Sequence, residues 1–390
     1  MGAAVSGWRL ANAVSRTGQM GVVSGTALDT VFVRRLQDGD PGGHMRRGME
    51  QFPIQRAADE AAHRYHRPNG LQPGEPYKML PLYRQVMASA RQELTMLAAF
   101  VEVFLAKEGH DAPVGINLLT KIQPPTLATL YGAMLAGVDY VLMGAGIPRE
   151  IAGVLDLLAG HQPARIRFDV EGLPSDAIEY LEFDPGVHWE TLPKPLARPK
   201  FLPIVASNSL ATMLARKATG RVDGFVIEGP TAGGHNAPPR GEPRLNERGE
   251  PMYGERDKVD LAKVRDLGLP FWVAGGAGHP ERLIAARAAG AAGIQVRRTP
   301  PSAQRASGSA TWGICASPSW GWTERSTTGV PVSQRRRTSR RAAGWKTRSV
   351  ANAYATRCLP PSVTRRPVPT GRSSRQSSPA VTTSRSLAAF

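Results

Sequence analysis

The chain has 390 residues and a mass of 41.9 kDa, enough for one large domain or two ordinary ones with a sizeable core. Its 49 Lys+Arg against 32 Asp+Glu give a net charge of +17, a balance typical of nucleic-acid-binding proteins. The charge is unevenly distributed, however, because residues 297–390 hold sixteen arginines and one lysine against a single acid and therefore carry +16. The other 296 residues hold 32 basic and 31 acidic side chains, so their charge does not support a nucleic-acid-binding surface.

Cysteine content and hydropathy exclude several classes of protein for residues 1–296. Both cysteines, Cys315 and Cys358, lie beyond this range, so a disulfide framework and a thiolate zinc site are excluded from it. No run reaches the roughly 18 apolar residues of a membrane span, and the best candidate, 94–106, is interrupted by Glu102. Arg9 and Asn12 interrupt any apolar secretion signal. We therefore expect a soluble, cytoplasmic protein without a membrane segment.

Residues 297–390 differ in composition from the rest. Ser, Thr, Arg and Pro supply 53 of these 94 residues, whereas Leu, Ile, Val and Phe supply only 10, too few to bury a core. Arginine runs such as 335–337 are typical of a nuclear-targeting or RNA-binding Arg/Ser segment, yet four tryptophans are unusual for a natural disordered tail. Out-of-frame translation of a GC-rich gene from near codon 297 explains both features. The sequence therefore predicts a folded domain at 1–296 and a disordered tail at 297–390.

Short apolar runs alternate with helical patterns along residues 1–296, as in α/β proteins. Most runs are continuous rather than alternating, which is typical of parallel strands covered on both faces. Two long excursions, 28–111 and 165–200, interrupt this order, and the second is predicted to contain an antiparallel pair at 166–170 and 178–183. The predicted strands lie at 21–24, 114–119, 140–143, 202–206, 224–227, 271–274 and 293–296, and the predicted helices at 126–136, 148–158, 209–219 and 280–289.

This pattern favours a (β/α)8 TIM barrel over a doubly wound sheet, because a barrel tolerates long excursions after its strands. The sequence supplies seven of the eight strands that such a barrel needs. The chain enters a helix near Trp8, so we expect the first strand to be the missing one.

Two of the predicted strands end in glycine-rich loops. The first loop presents Gly233, Gly234 and His235, and the second presents Gly275 and Gly276 directly before a helix. Adjacent glycines permit φ > 0 and close approach to a ligand, helix N-termini favour phosphate, and histidine exchanges protons near neutral pH. A tight loop with an exposed histidine explains the first loop equally well. Neither loop fits the phosphate-binding motif of nucleotide triphosphatases.

Polar and glycine residues at two other strands give weaker signals. Asn117 lies inside the apolar run 114–119, where its buried amide needs either a ligand or a structural hydrogen bond. Gly144 and Gly146 follow another strand but lack the third glycine of a dinucleotide-binding fingerprint, so a Rossmann site is weakly supported.

Taken in order, these motifs resemble the nitronate monooxygenase family, formerly called 2-nitropropane dioxygenases, which also includes flavin-dependent enoyl-carrier-protein reductases. The likeness covers most of residues 1–296 and implies a TIM barrel with FMN bound at the carboxyl ends of its strands. The motifs that carry the resemblance lie at 5–11, 20–26, 115–118, 232–235, 274–276 and 293–296.

The resemblance also implies roles for individual residues. His235 would sit beside the substrate and act as its acid/base or polarising group. Many members of the family have glutamine at the position of Glu228, another implied flavin contact. The remaining implied flavin-binding residues are Asn117, Gly233, Gly234, Gly275, Gly276 and Gln295, and no metal ligand is implied.

Two departures from the family pattern affect the cofactor site. The chain starts at the methionine of the turn that normally ends the first strand, and Arg297-Arg298 follow Val296 where the family has Gly-Thr. The last strand therefore leaves the family pattern inside the phosphate site, and the closing C-terminal helix is expected to be missing. Open sheet edges favour aggregation, so we expect this chain to be aggregation-prone and to bind FMN poorly or not at all.

The resemblance implies an FMN-dependent oxidoreductase that converts alkyl nitronates and O2 to a carbonyl compound and nitrite. A flavin-dependent enoyl-thioester reductase of the same family and an inactive, truncated or frameshifted member are the alternatives. Both enzymes would bind a small-molecule substrate, with no nucleic acid or membrane as partner. Nucleic-acid binding by the Arg/Ser-rich residues 297–390 is an alternative from another class.

Overall fold

A computed structural model describes residues 3–174, 176–232, 237–242, 244–298 and 311–316, and of residues 297–298 and 311–316 only the backbone. Eight of its strands form a closed barrel in the order β1-β2-β3-β6-β7-β8-β9-β10, and β4 pairs with β5 in a separate hairpin. The strands are β1 (Met20–Ser24), β2 (Val114–Leu119), β3 (Tyr140–Gly144), β4 (Ala164–Phe168), β5 (Glu179–Phe183), β6 (Lys200–Val205), β7 (Phe225–Glu228), β8 (Phe271–Ala274), β9 (Gly293–Arg298) and β10 (Thr311–Ala316).

Seven of the barrel strands, β1 to β3 and β6 to β9, run parallel to their neighbours in this group. They coincide with the seven strands predicted from apolar runs, which confirms the α/β barrel architecture. The antiparallel pair predicted in the second excursion is also present, with Ile166 opposite Leu181. All residues of β1, β2 and β3 are buried, as expected for strands covered on both faces.

Helices follow most of the parallel strands and cover the outside of the barrel. Two 3₁₀ turns, Pro185–His188 and Glu255–Asp257, lie in the connections before β6 and β8. The α-helices are α1 (Trp8–Ser15), α2 (Leu28–Gln37), α3 (His44–Met49), α4 (Gln55–Tyr65), α5 (Ser89–Lys107), α6 (Thr126–Leu135), α7 (Ile151–Ala159), α8 (Asn208–Lys217), α9 (Leu261–Arg265) and α10 (Pro280–Ala288).

The inside of the barrel holds an apolar cluster that is distinct from the larger core between strands and helices. It consists of alternate residues of the strands, because successive side chains of a strand point to opposite faces. The inward-facing members are Met20, Val22, Tyr140, Leu142, Leu202, Ile204, Val226, Trp272 and Ala274. The barrel is therefore filled by side chains at this level rather than open as a channel.

Buried ion pairs hold the first excursion against the barrel. Glu102 of α5 accepts hydrogen bonds from the backbone amide of Trp8 at 2.7 Å and from Arg35 at 2.6 Å. Asp29 of α2 pairs with Arg91 of α5, and both side chains are almost completely buried. Breaking such a pair leaves an uncompensated buried charge, so these contacts fix helices α1, α2 and α5 relative to one another.

The gap expected between the last and first parallel strands is filled by β10. This strand runs antiparallel to β9, with six paired residues, and to β1, where Met20 pairs with Ile314 and Gly21 with Gly313. Unpaired strand edges expose backbone donors and acceptors, which explains why a segment of the chain is recruited there. The expected open edge is therefore absent from the described residues.

The predicted domain boundary after residue 296 stays a prediction. Strand β9 continues to Arg298, and β10 lies within the range predicted to be a disordered tail. Within the described residues, no helix combines the length and apolar character needed to cross a membrane.

Helices α5 and α6 approach each other closely at Gly132. A Cβ added there would lie 2.1 Å from the backbone oxygen of Met96, far inside van der Waals contact. Replacing glycine by alanine in a helix normally stabilises by about 1 kcal/mol, but overpacking costs about 1–3 kcal/mol or more, and backbone cannot move aside locally.

We expect Gly132→Ala to lower the free energy of unfolding by about 2 kcal/mol, because a clash at the upper end of the overpacking range, about 3 kcal/mol, outweighs a gain in helix propensity of about 1 kcal/mol. Urea unfolding followed by circular dichroism measures the change. Gly254→Ala is the control, since an added Cβ at Gly254 meets no atom within 4 Å. Equal stability of Gly132→Ala and the parent chain would contradict the close packing of α5 on α6.

Candidate functional site

The strand register gathers polar side chains inside one end of the barrel. Ser24 of β1 lies opposite Asn117 of β2, which lies opposite Leu142 of β3. Residues directly opposite each other on neighbouring strands point to the same face of a sheet, and Leu142 points into the barrel. Ser24 and Asn117 therefore also point inward, toward the carboxyl ends of their strands.

The same relation holds on the other side of the barrel. Ala274 of β8 belongs to the interior cluster and lies opposite Glu228 of β7 and Gln295 of β9. Glu228 and Gln295 therefore face the interior as well. In a barrel of parallel strands, catalytic and ligand-binding residues sit at this carboxyl end. The register thus turns Asn117, Glu228 and Gln295, three of the residues that the resemblance assigns to a cofactor, toward the barrel interior.

Three of these inward-facing side chains have polar atoms without a hydrogen-bond partner among the described residues. They are Ser24 Oγ, Asn117 Oδ1 and Gln295 Oε1, in residues only 2%, 1% and 7% exposed. An unsatisfied buried polar group costs about 1–3 kcal/mol, so native proteins rarely keep several together without a purpose. These atoms are available as hydrogen-bond acceptors, and the Ser24 hydroxyl also as a donor.

The turn after β8 provides the second half of the site. Gly275 and Gly276 have φ angles of +95° and +60°, in the left-handed region that favours glycine. A Cβ on Gly275 would lie 2.8 Å from the backbone nitrogen of Ala232, in the loop after β7. The two glycine-rich loops predicted separately from sequence therefore meet backbone to backbone. The second loop leads into α10, whose N-terminal amides point toward an anion placed there.

Glu228 is the titratable group of this cluster. Burial raises the pKa of its carboxyl to about 7, because the barrel end disfavours the charged form. The raised pKa favours the protonated form of Glu228 near neutral pH relative to an ordinary glutamate, and a protonated carboxyl can donate a hydrogen bond as the amide of a glutamine does. This observation reconciles the acidic residue with the glutamine that the resemblance leads one to expect at this position.

Arg240 anchors the far end of the loop that begins after β7, and the sequence analysis did not single it out. Its Nη2 donates to the backbone oxygen of Ala206 at 2.8 Å, and its backbone amide donates to Asp257 Oδ1 at 2.8 Å. Backbone hydrogen bonds from Gly254 and Arg240 hold the pKa of Asp257 below its usual range. Because Ala206 directly follows β6, the hydrogen bond from Arg240 holds this end of the loop at the carboxyl end of the barrel. No sequence signal separates this arginine from exposed ones.

Three predicted site residues, Gly233, Gly234 and His235, lie outside the described residues. Their roles in flavin binding and proton exchange stay predictions. The sequence analysis also missed Ser24, although it belongs to one of the motifs that carry the resemblance. Its position at the end of an apolar run, like that of Asn117 within one, was the available signal.

Comparisons with known proteins add little to this geometry. No family model matches the chain, and no curated protein sequence matches it. Among solved structures, FabK from Thermotoga maritima matches with 18% identity and a TM-score of 0.37, over 75% of this chain and 54% of that one. A point mutant of the same protein matches with 22% identity and a TM-score of 0.32, over 50% of this chain and 47% of that one. The chain thus spans about half the length of these structures, and similarity at this level does not establish a shared activity.

Replacing Glu228 by glutamine tests its raised pKa. Between the ordinary carboxyl pKa of 4.5 and the folded value of about 7, the unfolded chain loses the proton while the folded chain keeps it. The parent chain therefore loses stability relative to Glu228→Gln as pH rises through this window. We expect the difference in unfolding free energy to grow by about 1–3 kcal/mol between pH 5 and 7 and to level off above it.

Urea unfolding of both proteins at a series of pH values measures this difference. Glu242→Gln, which removes an acidic side chain from an exposed loop, is the matched control. A constant gap between the parent chain and Glu228→Gln from pH 5 to 8 would show that Glu228 titrates normally.

Proposed function

We propose that the chain is an FMN-dependent oxidoreductase of the nitronate monooxygenase type, which oxidises alkyl nitronates with O2 to a carbonyl compound and nitrite. The observation that carries the proposal is the cluster of unpartnered, buried polar atoms of Ser24, Asn117 and Gln295 at the carboxyl end of a parallel barrel. Asn117 and Gln295 are the positions at which the resemblance expects contacts to a flavin. A fold without a ligand there gains nothing from keeping them.

The residues present fit FMN in both of its parts. A flat, polar ring system needs hydrogen-bond partners in a confined apolar setting, which Asn117, Glu228 and Gln295 supply above the interior cluster. A phosphate needs backbone donors, which the left-handed turn at Gly275-Gly276 and the N-terminus of α10 supply. When bound, FMN supplies the capacity to accept two electrons from a substrate and to return them to O2.

The chain's own residues then have separable tasks. His235 lies on the loop whose start packs against Gly275. It would hold or release a proton at the substrate and orient the anionic nitronate group. Protonated Glu228 would donate a hydrogen bond to the ring system without placing a negative charge beside it. The apolar residues beneath, among them Leu142 and Trp272, exclude water from the underside of the site.

Asn117→Leu separates binding from folding. The leucine removes an unpartnered buried oxygen from an apolar interior, so we expect the unfolding free energy of the ligand-free protein to stay equal or rise. The same change removes a flavin contact, so we expect the FMN affinity to fall at least about tenfold, the equivalent of 1.4 kcal/mol. Quenching of FMN fluorescence on titration measures affinity, and urea unfolding measures stability.

The exposed Asn69 provides the control variant, Asn69→Leu, which should bind FMN like the parent chain. Unchanged affinity in a folded Asn117→Leu protein would remove Asn117 from the cofactor site. If neither the parent chain nor Asn69→Leu quenches FMN at any concentration, the proposed cofactor is wrong for this chain.

The Arg297-Arg298 pair gives a test in the opposite direction. Because the resemblance expects Gly-Thr there as part of the phosphate seat, we expect the double variant Arg297→Gly, Arg298→Thr to bind FMN at least about tenfold more tightly than the parent chain. The FMN-saturated variant should consume O2 and release nitrite when it is given propyl-2-nitronate. It should not oxidise NADPH when an enoyl thioester is supplied as the substrate to be reduced. NADPH consumption that depends on the enoyl thioester would instead assign the reductase activity, and unchanged FMN affinity would contradict the weakened phosphate seat.

A further inference from the structure

A cavity opens at the carboxyl ends of β2 and β3, and the Gly275-Gly276 turn does not line it. Its volume is about 480 Å³, in the range of cavities that hold small organic ligands. The loop between β3 and α7 forms one wall, and the end of β4 in the hairpin forms the opposite wall. None of the residues assigned above to FMN lines it.

The floor of this cavity is apolar. Met143, Ile151 and Ile166 line it, and they are 1%, 3% and 5% exposed. They come from β3, from the first turn of α7 and from β4, so three separate elements converge on one apolar surface. Burial of a ligand's hydrocarbon part against this floor is favourable, because it removes apolar surface from water.

The rim is polar and carries unbalanced positive charge. Lys121 is exposed and makes no ion pair or hydrogen bond within the described part of the chain. Arg149 donates from Nε to the backbone oxygen of Lys217 at 3.1 Å and pairs with no described acid. The two acids of the rim already have partners, since Glu150 accepts the backbone amide of Arg167 at 2.9 Å and Asp169 lies 3.6 Å from the Arg167 guanidinium.

A hydroxyl without a partner lies between floor and rim. Thr120 Oγ1 is completely buried and has no hydrogen-bond partner among the described residues, although Thr120 lines the cavity. The facing turn is tightly fitted, because a Cβ added to Gly146 would lie 2.8 Å from Thr120 Cβ. Ala145 in this turn has φ +56°, a left-handed conformation that is unfavourable for alanine and persists only when its surroundings fix it.

We propose that this cavity binds an organic anion with a short hydrocarbon part. Its charged group lies near Lys121 and accepts a hydrogen bond from Thr120, and its hydrocarbon part contacts Met143, Ile151 and Ile166. The site uses none of the residues assigned to FMN, so a test of this proposal does not depend on whether the chain is an oxidoreductase.

Isothermal titration calorimetry of the full chain without FMN, with octanoate as probe and octanol as its uncharged counterpart, tests the proposal. We expect saturable octanoate binding that is several-fold tighter than octanol binding and weakens as salt is added. Lys121→Gln should weaken octanoate about three- to fivefold, as expected for an exposed charge pair, and leave octanol unchanged. Thr120→Val, a change of nearly equal volume, should also weaken octanoate.

Lys263→Gln on α9 is the matched control, because Lys263 is likewise exposed but lies outside the cavity lining. Three results would each overturn the proposal: no saturable binding of octanoate, equal affinity for octanoate and octanol, or the same loss in Lys263→Gln as in Lys121→Gln. Circular dichroism of each variant confirms that the fold is retained before affinities are compared.

Discussion

The register of the parallel strands is the constraint on which the candidate site depends. Asn117 faces the interior because it lies opposite Leu142, and Gln295 faces it because it lies opposite Ala274. A shift of one residue in either strand would turn these side chains to the helix-covered outside. The apolar residues that alternate with them, Ile116 and Leu118 on β2 and Ile294 on β9, make that shift unfavourable, since it would also take them out of the core between strands and helices. The packing of the strands against the helices thus fixes the direction of the polar groups.

The two halves of the site differ in how the sequence encodes them. On β1, β2 and β9, the polar groups of the site are side-chain atoms, and they are recognised by their lack of hydrogen-bond partners among the described residues. After β8, the backbone carries it, because Gly275 approaches Ala232 more closely than any residue with a Cβ could. Side-chain amides suit a ring with hydrogen-bonding edges, whereas backbone amides suit a phosphate. A single ligand that contains both groups accounts for this division more simply than two ligands would.

Local sequence patterns sufficed for the strands but not for the contacts between them. The seven parallel strands could be predicted because most are short apolar runs bounded by turn residues, and the β4–β5 hairpin could be predicted from two short neighbouring segments in one excursion. The pairing of Thr311–Ala316 with β9 and β1 could not be predicted, because the segment lies in a range whose composition is too poor in apolar residues for a core, and its partners are strand edges that form elsewhere in the chain. The close approach of Gly275 to Ala232 could not be predicted either, because it depends on how two strands far apart in sequence lie side by side. Arg240 and Thr120 escaped notice for the same reason.

The distribution of charge shows why burial and pairing must be known before charge is interpreted. The net charge of +17 belongs almost entirely to residues 297–390 and indicates nothing about residues 1–296, whose charges nearly cancel. Within those residues, most of the described arginines near acids are neutralised, as Arg198 is by Asp156 and Asp223. Lys121 is different, because it pairs with no described acid, although Glu150 and Asp169 lie on the rim of the same cavity. One unpaired charge beside a buried hydroxyl can select a ligand, whereas many charges on a solvated chain cannot, since selectivity requires desolvated and oriented partners.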